Sequence, residues 1–172
     1  VKFNRPFNNS PKVFAEINTE YGGNTVEVDI RNVSNVGFEM RLEEDVKGNW
    51  DGFHNPEFVS WLAIEGVSGT EQVGDENVSE QWETITFPTP FAGKPKVLAQ
   101  TQTENGSNTG MIDIRNVTTD SFEVRFEEDT GVGWDGFHTN EKVAWFAYEF
   151  FSIGQTGRAA IKHDLGWYQN PE

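Results

Sequence analysis

Two stretches of this chain carry the same polar constellation. The first holds the acids Glu43-Glu44-Asp45, then Trp50-Asp51-Gly52-Phe53-His54, with Glu57 three residues past the histidine. The second holds Glu127-Glu128-Asp129, then Trp134-Asp135-Gly136-Phe137-His138, again with Glu141 three residues on. An indole beside carboxylates and an imidazole suits a shallow carbohydrate site. The flat aromatic face takes the apolar side of a sugar ring, and a few polar groups clasp its hydroxyls. The candidate ligand-binding residues are therefore Trp50, Asp51, His54 and Glu57, with Trp134, Asp135, His138 and Glu141. A second reading stays open beside this one: the indoles pack in the core, the histidines pin a loop, and the acids brace the fold or an oligomer interface.

The triple acids also offer hard oxygen ligands, which suit Ca²⁺, so Glu43, Glu44, Asp45, Glu127, Glu128 and Asp129 are the candidate metal ligands. They do not form an EF-hand. Setting Asp51-Gly52 at loop positions 5 and 6 puts Lys47 at position 1 and Phe58 at position 12, and the second copy puts Gly131 and Lys142 there. Zinc fits poorly, because each His-x-x-Glu lies in a loop with no second histidine near it. Paired carboxylates can also hydrolyse glycosides, with Glu127 or Glu128 opposite Asp135 or Glu141. Small domains offer little cleft depth, however, and duplication suits a binder, since two linked weak sites gain avidity. The expectation is a protein that is not an enzyme.

The elements that position these loops come from a duplication. Shifting the sequence by 84 residues aligns 1–66 with 85–150 without a gap, with half the positions identical. The expected division is a repeat at 1–66, a linker at 67–81 rich in Gly, Ser, Glu and Asp, a second repeat at 82–150, and an extension at 151–172. Within each repeat the apolar residues alternate. Val26, Val28 and Ile30 share one face of a strand and Glu27, Asp29 and Arg31 the other; Phe38, Met40 and Leu42 point inward against Glu39, Arg41 and Glu43. Phe122, Val124 and Phe126 repeat that pattern, and Val59, Trp61 and Ala63 return as Val143, Trp145 and Ala147. Gly22-Gly23-Asn24, Ser34–Gly37 and Asn105-Gly106-Ser107-Asn108 are turn signals. Short alternating strands without a helical period predict two all-β domains, each an antiparallel sandwich. Cross-strand ion pairs are expected from Arg31, Arg41, Arg115 and Arg125 to neighbouring acids.

Composition narrows the partners. The net charge is -15, from 28 acidic against 13 basic residues. Binding a phosphate backbone needs the opposite balance, so nucleic acid and anionic membrane are disfavoured as partners, whereas divalent cations or a high-salt medium fit. No apolar run approaches the roughly 20 residues of a membrane helix, so no membrane insertion is expected. There is no cysteine, so neither disulfides nor thiolate metal sites hold the fold. The chain starts at Val1 without a recognisable signal peptide, which suits a processed piece. Its tail, including His163–Tyr168, would be either a missing edge strand for the first repeat or a linker. Asn-x-Ser/Thr triplets at Asn8, Asn32, Asn77, Asn105 and Asn116 could carry glycans in a glycosylating pathway.

Ile85-Thr86-Phe87, Pro90-Phe91, Pro95-Lys96-Val97, the hairpin Ile112–Phe122 and Val143–Glu149 together resemble the H-type lectin domains, the family of the snail agglutinin and the discoidin C-terminal domain. The resemblance covers nearly all of both repeats. It implies small antiparallel sandwiches that bind galactose or N-acetylgalactosamine and commonly form homo-oligomers, at an extracellular or cell-surface location. The family's sugar-contacting Trp-His pair maps most nearly onto Trp50 with His54 and Trp134 with His138, separated here by three residues. Thr25 and Thr109 stand where the family carries a sugar-contacting arginine.

Overall fold

Alternating Val, Ile, Phe and Thr bury one side of a pleated strand and wet the other. The computed structural model follows that pattern and describes residues 1–22, 25–44, 54–66, 70–106, 108–128 and 138–149. Ten strands run in order: β1 (Lys12–Ile17), β2 (Val26–Ser34), β3 (Gly37–Glu44), β4 (Val59–Ile64), β5 (Glu71–Val78), β6 (Glu83–Thr86), β7 (Lys96–Thr101), β8 (Gly110–Arg115), β9 (Ser121–Glu128) and β10 (Glu141–Tyr148). No helix occurs among the described residues. Four small antiparallel sheets result, with strand orders β1-β4, β2-β3, β5-β10-β7 and β6-β9-β8.

Two apolar clusters form among the described residues, one from β1–β4 and their flanks and one from β5–β10 and their flanks. In the first, Val13, Val28, Ile30 and Phe38 are buried, with Phe3, Met40, Leu42 and Ala63 packed against them. In the second, the buried set is larger and includes Phe87, Phe91, Phe122, Val124, Phe126, Val143 and Trp145. The 84-residue correspondence holds down to backbone detail. Asn32 and Asn116 both adopt left-handed φ, 52° and 49°, which asparagine tolerates better than most residues. Their Nδ2 groups donate to Glu39 (3.1 Å) and Glu123 (3.0 Å).

One expectation is corrected. The stretch 67–81, read as a linker from its Gly, Glu and Asp content, contains β5, which pairs along the whole of β10 and contributes Val78 to the second core. Gly74 is there for space rather than flexibility: a Cβ would sit 2.5 Å from Cζ2 of Trp145, whose ring lies across it. The residues 150–172 lie outside the described part.

The repeats meet along β1, β2, β7 and β8. Gln102, 5% exposed, donates to the Val13 carbonyl (2.8 Å) and accepts from the Val13 amide (3.0 Å), closing part of β1's free edge. Lys12 pairs with Asp75 of β5, and the Gly110 amide donates to Glu27 (3.2 Å).

Candidate functional site

The His-x-x-Glu motif leads into β4 in the first repeat and into β10 in the second, and both copies fold the same way. In the first, Glu57 accepts from Thr19 Oγ1 (2.5 Å), the Tyr21 amide (2.6 Å) and the Gly22 amide (3.2 Å). In the second, Glu141 accepts from Thr103 Oγ1 (2.5 Å), the Asn105 amide (2.7 Å) and the Gly106 amide (3.1 Å). The threonines also receive the amides of Phe58 and Lys142, both at 2.8 Å. Each histidine turns Nδ1 to its neighbour's carbonyl, Asn55 at 2.7 Å and Thr139 at 2.6 Å. A carbonyl only accepts, so Nδ1 carries the proton. The rings lie across Gly22 and Gly106, where a Cβ would collide with them.

These side chains face inward. His54 and Glu57 are 9% and 2% exposed, and His138 and Glu141 are 5% and 3%. His138 also stacks on Phe126, ring centroids 4.3 Å apart. Burial raises the Glu57 pKa, but the bonds from Thr19, Tyr21 and Gly22 outweigh it and hold the carboxyl below its ordinary value. The four residues therefore act as braces that tie the loop after β1 to the loop before β4, and the loop after β7 to the loop before β10. Thr19 and Thr103 complete them. Sequence reasoning passed over the two threonines, although their return at the 84-residue spacing was the available signal. Trp50, Asp51, Trp134 and Asp135 lie outside the described residues, as do Asp45 and Asp129.

Glu43 and Glu44 part, as do Glu127 and Glu128. Successive side chains on a strand point to opposite faces, so Glu43 faces outward on β3 while Glu44 is buried on the core side. Likewise Glu127 is exposed, and Glu128, 4% exposed, receives the Asn108 side-chain amide. The acids that do converge are Glu27, Asp29 and Glu43, whose carboxylate oxygens lie within 4.8 Å of one another and could hold a metal ion. Glu27 and Glu43 are direct register partners across β2 and β3, a like-charged pairing that costs stability unless a cation or proton intervenes. Arg41 supplies part of that neutralisation, reaching Asp29 (2.9 Å), Glu43 (2.8 Å) and Glu104 of the other repeat (2.6 Å). The remaining imbalance raises proton affinity. Burial, then Asp29, pushes Glu27 up to about 8, and burial and Asp29 push Glu43 up to about 7. Of the four sequence-derived metal candidates among the described residues, Glu43 alone belongs to this cluster; Glu27 and Asp29 were legible only as polar-face residues of β2.

Comparison with known proteins adds one likeness. The chain is 27% identical to halomucin of Haloquadratum walsbyi over 147 residues, which cover 81% of this chain and 2% of halomucin. It thus spans about 2% of the length of that relative. No family model matches the chain, and no solved structure matches it.

Proposed function

We propose that this chain is a non-catalytic tandem module that binds carbohydrate, as an adhesive part of an extracellular or cell-surface protein. The observation that carries the reading is the duplicated brace. Both repeats use a His-x-x-Glu pair and a threonine, buried or half-buried, to fix two loops at one end of the strands, and a fixed loop end is what a binding site needs from its scaffold. The braces free the histidines and Glu57 and Glu141 from direct contact with sugar. The contacts then fall to Trp50 with Asp51 and to Trp134 with Asp135, the remaining members of the shared run. The H-type lectin resemblance supplies the ligand class, galactose or N-acetylgalactosamine, and paired sandwiches as the architecture.

Turnover is disfavoured on this reading, because both oxygens of Glu141 already accept hydrogen bonds and Glu128 faces the core. Calcium assistance belongs to Glu27, Asp29 and Glu43, a set of hard oxygens of the kind Ca²⁺ takes; of the contiguous acids Glu43 contributes to it. The net charge of -15 and the likeness to halomucin favour a module of a larger protein working in a saline exterior.

The test is a glycan array and calorimetry on the whole chain, with and without EDTA, against Trp50→Ala/Trp134→Ala. Binding of galactosides that disappears in the double variant while its unfolding midpoint holds supports the reading. A second reading, a structural spacer, is favoured by the fact that the braces alone explain why the duplicated motif was kept. Absence of any glycan binding, with both loops intact, would select it.

A further inference from the structure

The strand β10 is covered on both sides, by β7 and by β5. Its counterpart β4 pairs with β1 alone, and no strand lies on its other side among the described residues. The indoles register the difference. Trp61 touches Phe3 and Phe38 at centroid distances of 5.8 and 5.6 Å, and Trp145 touches Phe87 and Phe122, both at 5.8 Å. The two rings thus sit alike on their cores, yet Trp61 is 43% exposed and Trp145 only 3%. What covers Trp145 is Gly74 of β5, its direct register partner. Two large apolar side chains on the sheet face opposite Trp61 are exposed as well, Phe58 (70%) just ahead of β4 and Leu62 (44%) within it, and β4 itself has no Lys, Pro or bulge to blunt its free edge. An apolar edge of that kind invites pairing.

We propose that β4 is an acceptor site for an added β-strand supplied from outside residues 1–172. The incoming strand pairs antiparallel, sets a glycine against Trp61 and places apolar side chains opposite Phe58 and Leu62. The glycine follows from the precedent in the second repeat, where any larger residue at Gly74 would meet the indole. The apolar requirement follows from what this edge exposes. Main-chain hydrogen bonds supply affinity in such strand addition, and the alternating side chains supply specificity.

The test fuses a copy of residues 70–84 ahead of Val1, which reproduces the spacing by which β5 reaches β10; phenylalanine replaces the copy's tryptophan so that no indole is added. Acrylamide quenching of Trp61 is read as the difference between each protein and its Trp61→Phe variant. The expected result is a Trp61 as protected as a buried indole and a Tm raised by roughly 5 °C or more, both lost when valine replaces the glycine of the added strand. Should Trp61→Phe fail to fold, hydrogen exchange of the β4 amides reads the same pairing. An extension that leaves quenching, exchange and Tm unchanged overturns the proposal. So does a Trp61 already protected without it: exposure on truncation after Glu149 would assign the edge to the chain's own tail, and concentration-dependent protection with a dimer in sedimentation would assign it to a second copy.

Discussion

Trp61 and Trp145 descend from one residue and make the same ring contacts, yet one is half in water and the other sealed. The arginines above them diverge in a related way. In the second repeat Arg115 and Arg125 stack over Trp82, at 3.8 and 4.9 Å from its ring centroid. In the first, Val1–Phe3 lies in the place of β6, bridging Lys2 to Gly37 and bonding the backbone of Val36 and Phe38, and Arg31 and Arg41 reach across to Glu104. The second repeat closes with its own strands, while the first leans on its neighbour through Gln102, Asp75 and Glu104.

Truncating the two indoles gives the largest expected contrast. Trp145→Ala should cost about 3–5 kcal/mol, as for a fully buried aromatic, and Trp61→Ala clearly less; equal losses in urea unfolding would erase the asymmetry. Next, Glu141→Ala strips partners from two backbone amides and the Thr103 hydroxyl, and should cost about 2–4 kcal/mol by leaving buried donors unpaired. Glu57→Ala should act in the same direction, which a shared shift of the unfolding midpoint would check. Gln102→Ala orphans both polar groups of Val13 and should cost about 1–3 kcal/mol. Its signature is loss of amide-exchange protection in β1 rather than in β7.

The smallest effect concerns the acid cluster, which among the described residues the first repeat alone possesses, since Met111 replaces Glu27 in the second. Glu27 and Glu43 have raised pKa values, so the folded chain holds protons that the unfolded chain has released. Stability without added divalent cation should therefore fall as pH rises from about 4.5 toward 8, because the native state binds more protons in that window. Glu27→Met should flatten that slope and raise stability at pH 8. Urea midpoints at both ends of the window, with and without Ca²⁺, test it; an unchanged slope would show that the two carboxyls are not held above their ordinary range.

Much of this was readable along the chain. The alternation at Val26–Ile30 and Phe122–Phe126 fixed strands and faces, because a side chain's side of a strand depends only on its place in the count. The duplication located the matched loops, and the cross-strand pairs Arg41–Asp29 and Arg125–Asp113 form where the pattern put them. The same count shows why Glu43 and Glu44 part company, although reading them as one ligand group ignored it. The roles of the His-x-x-Glu residues, the strand within 71–78, the meeting of Glu27 with Glu43 and the bare side of β4 were settled in three dimensions. Each depends on which backbone amides and edges come to lie next to a residue, and those neighbours are dozens of positions away in sequence. Local pattern sets what a residue can offer, and only packing determines what it is offered to.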